Sequence, residues 1–182
     1  MTPRKAIEMT PRKASTWSAA FLVVLFVCAG SGQAADIGGV ISSTLTITED
    51  SQLVDDVTCT VTDAPCIAIG ASGITLDLNG FSMTGLANSE TACSGGFEPG
   101  FAEDGIDLNG RAGVTIRGPG LVQRFRGPGI YSYANGSGLT VTGVTVSTNC
   151  ASGILVGGGS GHEISGNTAV RNGNGSNPCG GI

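Results

Sequence analysis

The chain has 182 residues, of which 40% are hydrophobic and 13% are charged, so its length suits a single domain. Nine Lys and Arg stand against 14 Asp and Glu, which gives a net charge of −5 at pH 7. So acidic a chain is poorly suited to binding nucleic acid or an anionic membrane surface, and a polyanion would require a local basic patch.

The N-terminal segment, residues 1–34, has the order of a secretory signal peptide. Four basic residues between Arg4 and Lys13 precede the uninterrupted apolar run Ala19–Ala29, and small residues follow. Such a run is too short to span a bilayer comfortably. We therefore expect residues 1–34 to be removed and residues 35–182 to form a secreted or periplasmic domain that is not attached to a membrane. This mature part contains five Arg, no Lys and 13 acidic residues, a net charge of −8.

Short strand-like runs recur through the mature chain at a regular interval. Gly-Ile pairs begin at Gly105, Gly129 and Gly153, and a fourth begins at Gly181. Two further series have related spacing, namely the runs that start at Val114, Leu139 and His162, and the valines Val122, Val146 and Val170. Strands this short cannot bury an apolar face alone, but stacked copies about 4.8 Å apart can.

This repeat predicts an all-β fold, a right-handed, single-stranded parallel β-helix with about 24 residues per coil. Ile and Val columns would fill the bore, and Asn149 and Asn172 would stack as a ladder at one turn. A β-sandwich or a propeller does not require so strict a period. The chain stops at Ile182, the residue that opens another coil, and solenoids need polar caps. We therefore expect a C-terminal truncation, with further coils beyond this sequence.

Residues before the regular repeat fit atypical first coils. Leu45–Thr48 and Gln52–Cys59 have strand-like patterns, and Cys66–Gly70 parallels the unit that begins at Gly105. Residues 86–104 interrupt the period and are predicted to form a projecting loop. Long loops on such scaffolds often carry recognition.

Five cysteines lie in the mature chain, and export permits disulfides. Cys59 and Cys66 are close enough in sequence to pair locally. Cys150 and Cys179 precede successive Gly-Ile steps, so adjacent coils would bring them within disulfide range, leaving Cys93 as the odd thiol. Because the chain has no CxxC pair and only one histidine, His162, no zinc site is expected. His162 takes the position of a strand-opening apolar residue, which favours a structural role.

The run Ile74–Gly85, ITLDLNGFSMTG, follows a Cys-containing strand pair and resembles the opening coils of secreted right-handed β-helix proteins. Val114–Gly118 and Ile164–Asn167 resemble ordinary repeat units of the same proteins. These include pectate-lyase-like proteins, periplasmic carbohydrate-binding and sugar-hydrolase-type β-helices, and a copper-associated family linked to nitrous-oxide reductase maturation. The resemblance covers about residues 45–182 and implies the fold. It implies no single activity, because such repeats serve lyases, hydrolases, epimerases and adhesins.

A polysaccharide lyase of this architecture implies a calcium site of several Asp beside a basic residue that removes a proton. Under that resemblance the catalytic candidates are Asp77, Asp107, Arg117 and Arg124, and the calcium candidates are Asp104 and Asp107. Alignment of the repeats, however, places Asp77 and Arg117 side by side on the outer surface. The simpler interpretation is an exposed ion pair worth at most ~1 kcal/mol.

Four of the five mature arginines lie close together in sequence and are candidates for binding an acidic sugar chain; they are Arg111, Arg117, Arg124 and Arg126. Alternatively, they neutralise Glu103, Asp104 and Asp107 on neighbouring turns. A hydrolase would need a clustered pair of carboxylates, and the sequence shows no such cluster.

The sequence therefore favours an exported β-helix protein that faces a polysaccharide or cell-surface glycan, without a complete active site. One alternative is the N-terminal part of a polysaccharide lyase or glycoside hydrolase that acts on acidic polysaccharide, with calcium as the cofactor of a lyase. Another is a structural adhesin or assembly segment that associates end to end.

Overall fold

A computed structural model describes residues 34–87, 93, 103–133, 136–173 and 181–182. The chain divides into residues 1–31 and 32–182, and the predicted signal peptide, except for Ala34, lies outside the described residues. Within the described ranges the regular structure is entirely β, and no helix there is long and apolar enough to cross a bilayer.

Thirteen strands make up the described domain. They are β1 (Ala35–Ile41), β2 (Leu45–Ile47), β3 (Ser51–Cys59), β4 (Ile67–Ile69), β5 (Thr75–Asp77), β6 (Ser82–Thr84), β7 (Ile106–Asp107), β8 (Thr115–Gln123), β9 (Ile130–Tyr133), β10 (Thr140–Ser147), β11 (Ile154–Gly157), β12 (Glu163–Ser165) and β13 (Thr168–Val170).

These strands form two sheets in which every pairing is parallel. The five-stranded sheet has the order β2-β4-β7-β9-β11. The eight-stranded sheet has the order β1-β3-β5-β8-β10-β12, with β6 paired to β3 and β8, and β13 paired to β10. Each coil thus adds strands first to the smaller sheet and then to the larger one, after which the chain enters the next coil. This stepping is the parallel β-helix that the repeat predicts.

The larger sheet bends at a glycine corner, which gives each coil three faces. The pairing of β8 with β10 shifts register between Thr142 and Val144. At this corner a Cβ on Gly118 would collide with the carbonyl group of Gly143. Gly143 itself has a φ of 68°, a conformation that glycine adopts without steric cost.

The predicted inward columns are confirmed. Leu76, Ile116 and Val141 stand in register and are fully buried. On the smaller sheet, a second column joins the isoleucines of the Gly-Ile steps and their counterpart in an earlier coil, Ile67, Ile106, Ile130 and Ile154.

The predicted valine series is wrong at its last member. Val122 pairs with Val146 as expected, but Val146 then pairs with Ala169, and Val170 lies beside Ser147. That coil is one residue shorter than the predicted period. Because side chains alternate across a strand, the shift turns Val170 outward, where it is 42% exposed.

The predicted asparagine ladder is confirmed. The Asn149 side-chain amide donates to Asn172 Oδ1 at 2.9 Å, and the Asn172 amide donates to the carbonyl of Val146 at 2.9 Å. Asn149 Oδ1 in turn accepts from the backbone N–H of Phe125 at 3.0 Å. The fully buried Asn149 thereby satisfies backbone groups at a corner where no strand pairing can.

Two disulfides are present in the described residues. Cys59 pairs with Cys66, as predicted, with Cα atoms 6.0 Å apart. Cys150, however, pairs with Cys93, with a Cα separation of 5.3 Å, so the predicted pairing with Cys179 is wrong. The physical reason is that the inserted segment brings Cys93 onto the coil that carries Cys150, where both pack with Ala87 in a small apolar cluster. Of that predicted loop, only residues 86–87, 93 and 103–104 are described.

Candidate functional site

Asp77 and Arg117 form the exposed ion pair that the repeat alignment predicts. They are register partners on β5 and β8, and Arg117 Nε lies 2.7 Å from Asp77 Oδ2. The outward column continues through Thr142 to Ser165. With the arginine side chain 56% exposed, the pair is a solvated surface contact.

The two catalytic candidates Asp77 and Asp107 have the same structural task, because each begins an Asp-Leu-Asn-Gly run. In both runs the aspartate Oδ1 accepts the N–H of the asparagine two residues later at 2.8 Å. Asn79 and Asn109 have φ values of 48° and 49°, and the following glycines also have positive φ. Positive φ at both central residues defines a type I′ turn, for which Asn-Gly is the preferred pair. Each aspartate therefore stabilises its turn through Oδ1, and only Oδ2 takes no part in that hydrogen bond.

The four candidate arginines do not share one face of the coil. Arg111 lies in the turn after β7, Arg117 lies on β8, and the other two follow β8. Arg124 Nε donates to the carbonyl of Ala87 at 2.9 Å. The Arg126 guanidinium lies 3.4 Å from the Glu103 carboxylate. The structure thus supports neutralisation of a neighbouring carboxylate for Arg126.

Three acidic residues, Glu103, Asp104 and Asp107, lie close in sequence at the corner that leads into β7. Glu103 and Asp104 are only 8% and 5% exposed, and Asp107 follows on the strand. Glu103 Oε1 accepts the backbone N–H of Asp63 at 3.1 Å in addition to its contact with Arg126. The Glu103 carboxylate is therefore engaged by both a cation and a backbone N–H.

Asp104 has a different environment from Glu103. Its carboxyl group packs against the Cα of Gly127, where a Cβ would collide with it. No side-chain hydrogen bond to Asp104 occurs among the described residues. Burial raises the pKa of Asp104 from its ordinary value of 3.8 to about 7, and the Asp107 carboxylate adds to the rise. Asp104 can therefore hold a proton near neutral pH.

Two small features complete this corner. A cavity of about 10 Å³, near the volume needed for one water, is lined by Glu103, Asp104, Arg126 and Cys66 among others. Among the described residues, no group of three or more His, Cys, Asp or Glu is arranged to hold a metal. Within that part of the chain, the calcium candidates Asp104 and Asp107 have no such third ligand.

Next to this corner, both tyrosines of the chain point outward from β9. Ile130 and Ser132 face the bore at 0% and 2% exposure, whereas Tyr133 is 60% exposed. The rings of Tyr131 and Tyr133 are nearly parallel, 5° apart in plane, with centroids separated by 6.1 Å. The Tyr133 ring also covers Gly157 of the next coil, where a Cβ would lie 2.5 Å from the ring.

The tyrosine pair and the Asp107 carboxyl group belong to one surface. Asp107 is the register partner of Tyr131 on the neighbouring strand. Burial raises the pKa of the Tyr131 hydroxyl, and the charges of Asp104 and Asp107 raise it further. We call Asp107, Tyr131 and Tyr133, together with the nearby buried Asp104, the tyrosine face. It combines outward-facing aromatic rings with carboxyl groups that can accept or donate hydrogen bonds.

The tyrosines are not among the site residues predicted from sequence. Their only signal is the alternation Ile130-Tyr-Ser-Tyr133 in a Gly-Ile unit, which places both on the outer surface. His162 has the structural role expected of it, since its Nδ1 accepts the N–H of Leu139 at 3.3 Å and its Nε2 lies 3.0 Å from the carbonyl oxygen of Gly158.

Fold and surface together define a parallel β-helix with an aromatic and acidic outer face. The chain matches no family model, and no match was found among the curated proteins or the solved structures. Function must therefore be inferred from the geometry of this surface.

Proposed function

We propose that the protein is an exported β-helix protein that binds a glycan on the tyrosine face. The observation that carries the proposal is the near-parallel pair of Tyr131 and Tyr133, with Tyr133 60% exposed on a strand that is paired on both sides. Aromatic rings offer large apolar faces, and tyrosine adds a polar hydroxyl. A pyranose ring presents one apolar face and a rim of hydroxyl groups, and such a ring fits both parts of this surface.

Export is supported by two observations of different kinds. The N-terminal sequence has the order of a signal peptide. The two disulfides in the described residues fit an oxidising compartment, either extracellular or periplasmic. The resemblance of the repeats to pectate-lyase-like and carbohydrate-binding β-helices is consistent with a glycan ligand.

Charge favours a neutral glycan over an acidic one. Arg117 and Arg126 are paired with Asp77 and Glu103, and Arg124 is bonded to a backbone carbonyl. Of the four candidate arginines, only Arg111 has a side chain without a hydrogen bond or ion pair among the described residues, and the mature chain is itself strongly acidic. The tyrosine face adds the carboxyl group of Asp107, which would repel further anions.

Binding to a panel of immobilised oligosaccharides tests this proposal. Replacing Tyr133 with Ala should weaken binding roughly tenfold or more, because an aromatic contact is worth about 0.5–1.5 kcal/mol beyond its buried area. Tyr133→Phe keeps the ring and should retain most of the affinity. Val54→Ala, an exposed apolar position on β3, serves as the matched control. A wild-type protein that binds no glycan on the panel, or equal binding by Tyr133→Ala, would contradict the proposal.

A second candidate function is glycoside hydrolysis at the same face. It is favoured by the contrast between Asp104, whose pKa is raised to about 7, and the neighbouring Asp107, which is partly exposed to solvent. Acid–base hydrolysis uses two carboxyl groups held in different environments, and these two differ in burial. Release of reducing ends from a bound glycan, lost in Asp104→Asn but not in Asp77→Asn, would support this function. A glycan that binds but is not cleaved would exclude it for that glycan.

A further inference from the structure

The three Asn-Gly pairs in the described residues differ in how their reactive groups are held. They are Asn79-Gly80, Asn109-Gly110 and Asn172-Gly173. In an Asn-Gly pair, the backbone nitrogen of the glycine can attack the side-chain carbonyl carbon of the asparagine. Glycine favours this attack because it has no Cβ to obstruct the approach. A hydrogen bond from either reacting group must break before the two can meet.

Two of the pairs are held by hydrogen bonds on both reacting groups. The Asn79 amide donates to the carbonyl of Leu53 at 3.0 Å, and the Gly80 N–H donates to the carbonyl of Pro119 at 2.6 Å. The Asn172 amide belongs to the asparagine ladder, and the Gly173 N–H donates to the carbonyls of both Asn149 and Ala151 at 2.9 and 2.8 Å.

The third pair has neither restraint among the described residues. Asn109 is exposed and its side chain forms no hydrogen bond there, and the Gly110 N–H has no acceptor there. The comparison with Asn79 is closely matched, because both pairs lie in Asp-Leu-Asn-Gly type I′ turns with nearly equal asparagine φ. Each turn also has the same aspartate Oδ1 bonded to the asparagine N–H at 2.8 Å. The Asp-Leu-Asn-Gly sequence and the turn type are thus matched, whereas the hydrogen bonds of the reacting groups differ.

We propose that Asn109 is the most reactive of these three asparagines towards spontaneous deamidation in the folded protein, with water as the only co-reactant. The Gly110 nitrogen loses its proton and forms a bond to Asn109 Cγ, and the side-chain amide leaves as ammonia. The resulting succinimide ring is opened by water, with cleavage of one of its two C–N bonds. The products are aspartate or isoaspartate at position 109, with no net oxidation or reduction.

The modification has a structural consequence that does not depend on the proposed function. It adds one negative charge at the turn that follows Asp107, at the border of the tyrosine face. The isoaspartate product also lengthens the backbone of a turn that connects the two sheets. Among the three described Asn-Gly pairs, this turn would then contribute most of the charge heterogeneity of the stored protein.

Site-resolved mass mapping of the folded, disulfide-intact protein in mildly alkaline buffer tests the proposal. Asn109 should react roughly tenfold or more faster than Asn79 and Asn172, since each hydrogen bond that must open lowers the reactive population about twofold to tenfold. In the reduced and denatured chain, the three rates should converge. Equal rates in the folded protein, or an unreacted Asn109 when the denatured chain has converted, would overturn the proposal.

Two variants separate this site from other sources of charge change. Asn109→Gln should abolish the acidic form of the protein that arises by deamidation at position 109, because glutamine cyclises far more slowly. Asn79→Gln, the matched control, should leave that species unchanged. Persistence of the species in Asn109→Gln would overturn the assignment.

Discussion

Asp104 makes stability depend on pH in a direction opposite to that of most carboxyl groups. Its pKa is about 7 in the folded protein and near 3.8 when unfolded, because folding buries it. Between these values the folded state keeps a proton that the unfolded state releases. Stability contributed by this group is therefore fully present below about pH 4 and is lost as pH rises towards 7.

The size of the effect follows from the two pKa values. A difference of about three units corresponds to about 4 kcal/mol at about 1.36 kcal/mol per unit. This is a large share of the roughly 5–15 kcal/mol that typically separates folded from unfolded domains. Asn is nearly isosteric with a protonated Asp and carries no charge at any pH. The variant Asp104→Asn should therefore match wild type near pH 4 and exceed its stability by up to about 4 kcal/mol at pH 8.

Urea unfolding of the disulfide-intact protein at pH 4, 6 and 8 measures the predicted difference. Asp56→Asn is the control of opposite sign, because Asp56 accepts the backbone N–H and the hydroxyl of Ser82 and its pKa is lowered by them. That stabilisation is present above the unfolded pKa and is lost at lower pH, so Asp56→Asn should cost stability at pH 8. A pH-independent difference between Asp104→Asn and wild type would refute the reasoning.

Three further substitutions test the ion pair, the ladder and the second disulfide. Arg117→Ala should cost at most ~1 kcal/mol, and a double-mutant cycle with Asp77→Ala should give a coupling of similar size; a coupling well above that value would show that the pair is not solvated. Asn149→Ala should cost about 2–4 kcal/mol by thermal or urea unfolding, because it leaves buried backbone groups without partners. Cys150→Ala should make Cys93 reactive to alkylation in the unreduced protein, and an unlabelled Cys93 would contradict that pairing.

The fold could be predicted because apolar residues recur in the sequence at the interval that one coil of the β-helix requires. Leu76, Ile116 and Val141 recur at positions that only stacked strands can bring into one column. The same alignment predicts the Asp77–Arg117 pair, since side-chain alternation fixes which residues face outward. The prediction is wrong at Val170 because the coil from Val146 to Ala169 is one residue shorter than the preceding coil, and a period averaged over coils does not detect such a change.

The candidate site could be predicted only in part. Asp104 and Asp107 are visible in the sequence as acidic residues, but the burial that raises the pKa of Asp104 depends on how the corner packs. Tyr131 and Tyr133 occur in a single coil, so the repeat pattern does not distinguish them as a site. The partner of Cys150 depends on the path of the inserted segment, which has no periodicity from which to derive it. The turn-forming role of Asp107, by contrast, can be predicted from sequence, because Asp107 and Asp77 each begin an Asp-Leu-Asn-Gly run.

The corner between β6 and β7 has a practical consequence for protein engineering. The stretch of sequence between Ile67 and Ile106 is much longer than the stretch between Ile106 and Ile130, yet both pairs stand in the same register. The stacked columns therefore accept an insertion at this corner without any change in the coils on either side. A peptide inserted between β6 and β7 would therefore be carried by a scaffold whose hydrogen-bonded register does not depend on the length of the insertion.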